Sequence, residues 1–460
     1  MPLFREENFL LVHAGSQETK VLFGLQESLT PPQFKIPTVV YHDQSTNQYR
    51  ATDPAGEYVK IHPIVGSRIV DVEALKALLK FILQSFIQKN PILTINQIPL
   101  LLITPTVSFS REAVEEITKF VFQTLEFTAF NILDLSVAAS YGLGATTSTL
   151  VINIGHEATQ IVPVLGGAPI KYACRRLNAG GKTIEEELKK ILPQLSQEQI
   201  VALKESNIFE VMIDHEDSFY SVADLTEEKK DEDDAIDVAK IVSEENGGLD
   251  VANSKPDGNE GKPNSELQTN SFSFNGQKIT VGKERFQGTL KLIDELSEGI
   301  FASLEQIPDL EKRQECYDNL VFVGGPSNIV GLKQAIVLKL CKDYLTRPPH
   351  TKGSKQQQQG GVNSAILAYQ LTDDVADGSG EHTGASQVPS SIKLIKHPEY
   401  FPEWKKPKDK QGSWSEVYFL GGQIYAKQIY GANSNYGGDS FIDTDIYDER
   451  GPQAIWDVCL

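Results

Sequence analysis

The sequence predicts an α/β protein organised around two matching β-hairpins, and three observations predict it. Residues 149–164, TLVINIGHEATQIVPV, place Leu150, Val151, Ile152 and Ile154 before Gly155 and resume with Ile161, Val162 and Val164 after a polar tip. That is the pattern of a buried hairpin. A near twin opens the chain, where residues 9–12 lead into HAGSQETK and then Val21, Leu22 and Phe23. Strand and helix patterns alternate around both, the signature of an α/β architecture.

A chain of 460 residues is long enough for two large lobes or three ordinary domains. The net charge of −19 argues against strong intrinsic nucleic-acid binding, which needs a basic surface. It suits a basic partner, or simply the solubility of an acidic chain. Cys174, Cys316, Cys341 and Cys459 are scattered, without metal-ligand spacing, so neither a zinc site nor a disulfide framework follows and a reducing compartment is expected. The N-terminus, MPLFREENFLLV, reads as a first strand and not as a signal peptide. The runs IPLLLIT and LLKFIL are too short to span a bilayer, so a soluble intracellular protein with no membrane contact is expected.

After the first hairpin, residues 36–41 read as a strand and 42–57 as a polar loop. Val72, Leu75, Leu78, Leu79, Ile82 and Phe86 share one helical face, with Asp71 placed as the cap. Residues 98–104 form a continuous apolar strand ended by Pro105, which fits a sheet covered on both faces. Ser110 and residues 112–126 form a second helix, with Val114, Ile117, Val121 and Phe122 inward. Beyond the second hairpin, an Asn178-Ala179-Gly180-Gly181 turn precedes the helix TIEEELKKIL. Such a turn can bind phosphate but is more often a tight connection. Residues 216–270 are acidic and then rich in Gly, Asn, Ser and Pro, and read as a flexible insertion. FSFNGQKITV reads as a hairpin turning at Asn275-Gly276, followed by a helix at 286–304, a strand at 320–323 ending in Gly324-Gly325, and a helix at 329–344. Residues 347–390, with their Gln tract, read as a second flexible insertion holding a helical turn at 363–371. Strands are expected at 392–395 and 417–420, and a helix at 422–430.

On these residues the chain resembles the actins. FNGQKITVGKERF is similar to the actin hairpin with its GxERF segment, and DIYDERGPQAIWDVCL to the actin C-terminal segment. FLGGQI, IHPIVG, PLLLIT and the VGG at Val323 follow in the same order. The PEYFPEWKK segment, KERFQG, IFEV and AIWDV resemble most the actin-related protein nine group of yeasts. The resemblance implies the two-lobed fold shared by actin, Hsp70 and hexokinase, with duplicated core subdomains whose facing hairpins grip ATP phosphates through backbone N–H groups. It implies a small lobe at 1–143 and 414–460, with an outer subdomain near 34–65, and a large lobe at 144–413 carrying the two insertions.

Carried over residue by residue, the nucleotide cleft is degenerate. His13 stands where actins have the aspartate that organises the metal's water shell. Gly15, Ser16 and Lys20 are kept, but a glycine has become Gln17, whose side chain is expected to intrude where a phosphate approaches the backbone. In the second hairpin, Asn153 and His156 replace two aspartates on either side of Gly155, Glu157 replaces a tip glycine, and Gln160 replaces the water-orienting histidine. Ser136 aligns with the catalytic glutamine. The base-side contacts fall on Ala202, Glu205 and Ser206, or on Lys204-Glu205 if one gap is allowed, while Gly324 and Gly325 match cleanly. Phosphoryl transfer needs Mg²⁺ held near carboxylates and a water in line with the γ-phosphate, and these groups are missing. No catalytic residue and no metal site is expected. Two facing histidines, His13 and His156, lack a third ligand.

The resemblance therefore implies a non-catalytic, nuclear subunit of a SWI/SNF-type or RSC-type chromatin remodeller. It would pair with a second actin-related protein, hold the helicase-SANT-associated helix of the motor ATPase and meet chromatin indirectly. The helix is expected in a groove lined by Gly142, Ala145 and Thr147, Ala168, and Tyr425, Gln428 and Tyr430. The competing readings are an ATPase or sugar kinase, a filament former, and a chain that binds ATP without hydrolysing it. No other cofactor is expected.

Overall fold

A computed structural model describes residues 4–25, 27–89, 97–144, 148–212, 263–344, 389–398, 401–404, 414–431 and 440–458. Most of both predicted insertions, the helical turn at 363–371, and Ala145, Thr147 and Cys459 lie outside the described residues.

The first lobe begins with the predicted hairpin, β1 (Leu10–Ala14) and β2 (Glu18–Phe23), and β3 (Phe34–Pro37) pairs with β2. The polar loop expected at 42–57 is in fact a small outer sheet of β4 (Val40–Asp43), β5 (Gln48–Arg50) and β6 (Val59–Ile61). The strand expected at 36–41 accordingly breaks after Pro37, and its two halves join different sheets. β7 (Ile64–Val65) and β8 (Arg68–Ile69) make a tight hairpin whose turn residues, Gly66 and Ser67, have φ of 54° and 64°. α1 (Val72–Lys89) is capped as expected, the Ala74 N–H donating to Asp71 at 2.9 Å. β9 (Pro99–Thr104), α2 (Arg111–Gln123), β10 (Ala129–Asp134) and α3 (Leu135–Gly142) complete this half.

The second lobe repeats the plan with β11 (Ser148–Ile154), β12 (Thr159–Leu165), β13 (Ala168–Pro169), β14 (Arg175–Leu177), α4 (Gly181–Ile191) and α5 (Gln197–Glu205). β15 (Asn270–Phe274) and β16 (Gln277–Val281) turn at Asn275 and Gly276, both at positive φ as an Asn-Gly hairpin requires. α6 (Leu290–Leu304), α7 (Leu310–Asp318), β17 (Leu320–Val323) and α8 (Leu332–Tyr344) follow, and the chain then returns to the first lobe with α9 (Val417–Tyr430), β18 (Ile442–Asp443), α10 (Thr444–Arg450) and α11 (Ile455–Val458).

The two main sheets run β18-β10-β9-β1-β2-β3 and β13-β12-β11-β17, with β14 beside β12. In each, the first strand of the hairpin pairs in parallel with a later strand, Leu10 opposite Leu100 in one and Leu150 opposite Leu320 in the other. This is the duplicated core of the two-lobed fold. Every residue of β9 is buried, because apolar clusters cover both faces of its sheet. A third cluster fills the outer side of the second lobe.

Three expectations fail for tertiary reasons. Residues 417–430 form one helix, not a strand and a helix. The aromatic and β-branched run VYFL suggested a strand and Gly421-Gly422 a break, but these glycines sit inside α9, Gly421 where it crosses α3 and Gly422 against Ile103 and Leu11 of the first sheet. A Cβ on Gly421 would lie 1.7 Å from the Ala138 carbonyl, and one on Gly142 would lie 2.4 Å from that of Val417. Residues 392–395 contribute only a bridge from Leu394 to Leu320 and not a strand. At the expected end of the second insertion, Ser390 N–H donates to the Gln314 side chain at 2.9 Å. The first insertion ends earlier than expected, because the half-buried Asn264 is bonded into the second lobe. Buried Arg285 donates to the Asn264 side chain at 2.8 Å, and to the backbone oxygens of Asn264 and Leu267, both at 2.6 Å.

Two substitutions test this packing. Gly421→Ala forces α9 off α3 and is expected to cost about 3 kcal/mol or more in urea unfolding. An unchanged midpoint would remove the close crossing. Asn264→Ala strips one partner from a buried guanidinium and is expected to cost about 2 kcal/mol. A loss within error would place residue 264 outside the folded core.

Candidate functional site

The cleft lies where the β1–β2 and β11–β12 tips approach each other. On the first tip, Gly15 N–H donates to Glu18 O at 3.0 Å, closing a tight turn, and Ser16 is half-buried. Gln17 is exposed, and its carbonyl accepts from Thr38 N–H, so it sits at the rim of the cleft and not within it as expected. His13 is buried, donates from Nδ1 to the Ile103 carbonyl at 2.9 Å and packs edge-on against Tyr418. Burial, with the neighbouring Lys20 ammonium, pushes the imidazole down to about 3 against that hydrogen bond.

Lys20 is where the kept phosphate-meeting lysine was expected, but its ammonium already has partners. It donates to the Tyr418 hydroxyl at 3.1 Å and lies 3.5 Å from Glu416, whose carboxylate also accepts from Lys35 at 2.6 Å. Burial opposes the charge on Lys20, and the Tyr418 oxygen and Glu416 carboxylate outweigh it, holding the pKa above its ordinary value. Sequence reasoning missed Glu416. Its only signal was a single acidic residue entering the apolar run VYFLGG.

On the second tip the arrangement repeats with different residues. Lys204 donates to Glu185 at 2.6 Å, Gln197 donates to the other oxygen of Glu185 at 3.1 Å, and His156 lies 3.6 Å away. Burial lowers the His156 pKa against the pull of Glu185. Lys204 faces the cleft near Gly181, whereas Ala202 packs on the second-lobe core, Glu205 is exposed and Ser206 bonds back to Leu203. Of the gapped pair Lys204-Glu205, only Lys204 is turned toward Gly181. The Gly180-Gly181 turn is a tight connection, because Gly181 and Lys182 N–H donate to the carbonyls of Gly155 and His156 at 3.0 and 2.7 Å.

Gly324, at φ 92°, donates to the Ser415 carbonyl at 2.8 Å, and a Cβ on it would lie 2.1 Å from the Ile154 carbonyl oxygen. Gly325 borders open space. Ser136 is buried. Its hydroxyl donates to Asp134 at 2.5 Å, and Thr106 donates to the same oxygen at 2.8 Å. Burial pushes the Asp134 carboxyl above its ordinary range despite these bonds. Gln160 donates to the Thr106 carbonyl at 2.9 Å and to Ser108 at 2.5 Å, joining the lobes across the cleft. His13 and His156 belong to separate clusters, and among the described residues no group of three or more His, Cys, Asp or Glu could hold a metal.

The expected partner groove is only partly a surface. Tyr430 is fully buried, donating to Leu100 O at 2.8 Å among Phe4, Phe9 and Phe441, and Tyr425 is 5% exposed against Tyr141. Both tyrosines are core residues, because α9 turns that face inward. Gly142 is spent on the α3–α9 crossing. Ala168 is exposed, and Gln428 is half-buried with a side-chain oxygen that has no hydrogen-bond partner among the described residues.

The sequence profile of the family described as Actin matches residues 5–356. The chain belongs to the actin family. Among curated relatives of this actin-family chain, the SWI/SNF and RSC complexes subunit arp9 of Schizosaccharomyces pombe is 26% identical over 546 aligned residues, covering 99% of each chain. Actin-related protein 7 of Arabidopsis thaliana is 22% identical, covering 98% of this chain and 99% of its own. Actin-like protein ARP8 of Saccharomyces cerevisiae is 35% identical over 89 residues, only 19% of this chain and 10% of its own. This chain is thus an actin-related protein similar along its whole length to a remodeller subunit.

The buried imidazole makes a pH prediction. His13 is neutral in the fold, while the unfolded chain takes up a proton below about pH 6.5. Stability contributed by the neutral site is therefore present above about 6.5 and falls as pH drops toward 3. The stability of wild type relative to His13→Gln should decline by about 2 kcal/mol between pH 7 and 4.5 in urea titrations. A constant difference would mean that His13 is not buried neutral.

Proposed function

We propose that this chain is a non-catalytic, nuclear subunit of a SWI/SNF-type or RSC-type chromatin remodeller. The observation that carries the proposal is the state of the cleft. Its two inward cations, Lys20 and Lys204, already face Glu416 and Glu185, and the metal-side carboxylates are replaced by His13, Asn153 and His156. A nucleotide phosphate would have to displace those carboxylates, and His13, Asn153 and His156 offer no carboxylate to place a metal or orient an attacking water. The whole-length similarity to a SWI/SNF and RSC subunit supports the class of assembly. Pairing with a second actin-related protein and holding the helicase-SANT-associated helix of the motor complete the reading. The helix-binding surface is centred on Ala168 and Gln428, since the tyrosines beside them are core.

The test joins partner recovery with an activity assay. Mild affinity purification should recover a second actin-related protein and the motor ATPase, and the purified chain should release phosphate from ATP at background rate. Ala168→Arg with Gln428→Lys should reduce capture of the motor's helix at least tenfold while leaving the melting temperature near wild type. Tyr425→Asp would not serve, because it would bury a carboxylate at a core position. Phosphate release above background, or full helix capture by the folded double variant, would refute the corresponding part of the proposal.

A further inference from the structure

Across the mouth of the cleft, one backbone position is held from both sides by charged groups of the opposite lobe. Gly66, at the tip of the β7–β8 hairpin of the first lobe, donates its N–H to Glu157 Oε2 at 2.7 Å. Its carbonyl accepts from Arg176 Nε at 3.1 Å and Nη2 at 2.6 Å. Both anchors come from the second lobe, Glu157 from the β11–β12 tip and Arg176 from β14, where it stands opposite Gln160. Each anchor is itself steadied. Lys182 lies 3.7 Å from Glu157, and Arg176 also donates to Asn178 at 2.7 Å. A Cβ on residue 66 would lie 2.6 Å from Arg176 Nη2, so the guanidinium occupies the space that a side chain would fill. Deeper in the cleft, Gln160 bonds to Thr106 and Ser108, and Gly324 bonds to Ser415, so the lobes meet at the mouth, the floor and the back.

We infer that Gly66, Glu157 and Arg176 form a latch that holds the two lobes closed without a nucleotide. A ligand bound between two lobes closes them by contacts with both, and its work is needed only where the lobes lack contacts of their own. Here an anion and a cation of one lobe grip the N–H and C=O of a single residue of the other, and hydrogen bonds to charged groups are the stronger kind. The inference concerns the chain itself and holds whether or not the chain sits in a remodeller.

Distances between spin labels on exposed Lys60→Cys, in the outer sheet, and Glu198→Cys, on α5, read the lobe separation, in a background with Cys174 and Cys459 changed to Ser. The wild-type latch should give one short distance that 1 mM Mg-ATP leaves unchanged. Glu157→Ala with Arg176→Ala should raise the ratio of open to closed populations about tenfold. Glu157→Gln, which keeps the shape and an acceptor for the Gly66 N–H but loses the charge, should open the lobes to a degree between wild type and Glu157→Ala, whereas a merely steric role for Glu157 would leave it at wild type. Shortening of the wild-type distance by Mg-ATP would overturn the inference, as would an unchanged distribution in the folded double variant. If circular dichroism shows the double variant unfolded, Glu157→Ala alone decides by the same two outcomes.

Discussion

The crossing of α3 and α9 is the constraint on which the rest of the structure depends. Gly142 and Gly421 let the two helix backbones meet at distances that no side chain would permit. The helices lie in the apolar cluster that also takes Val151, Val162, Val321 and Val323 from the second sheet and Leu11, Leu101 and Ile103 from the first. The crossing thus fixes how the two sheets face each other and where their hairpin tips meet. It also fixes the start of α9, which brings Glu416 to Lys20 and Ser415 to Gly324.

Within that frame the cleft is organised by pairing opposite charges inside the protein. A lysine left alone in a closed cleft would lose its hydration with no compensation, so a retained Lys20 or Lys204 needs either a bound anion or an internal one. Glu416 and Glu185 supply the internal one. His13 follows the same logic from the other side. It cannot remain charged beside Lys20 in a buried site, so it is neutral and uses its ring N–H on the Ile103 carbonyl. Around the two hairpins, Lys20 and Lys204 thus each face a carboxylate while His13 is held neutral. The architecture itself rests on three apolar clusters.

Much of this was legible in the sequence. The two hairpins, the fully buried β9, the capped starts of α1 and α2 and the Asn-Gly turn at 275–276 follow from local pattern and turn chemistry, whose range is only a few residues. The residue types at the two hairpins, His13, Asn153 and His156, were read directly at their motif positions. The groove was not, because whether Tyr425 and Tyr430 face solvent or core depends on how α9 is rotated against α3. A helix that is apolar nearly all round gives no periodic sign of its exposed face.

The sequence by itself determined the class of fold and the family, because these depend on residue identity and on spacing along the chain. Only the tertiary structure decided that VYFLGG is helical, that Asn264 serves Arg285, and that Lys20 and Lys204 face carboxylates at positions 416 and 185. Only it brought Gly66 between Glu157 and Arg176, residues 91 and 110 positions away along the chain. The physical reason is common to all of these. Helix crossings, buried ion pairs and lobe contacts join groups far apart in sequence, where local propensity is overruled by whatever backbone or charge the fold brings alongside.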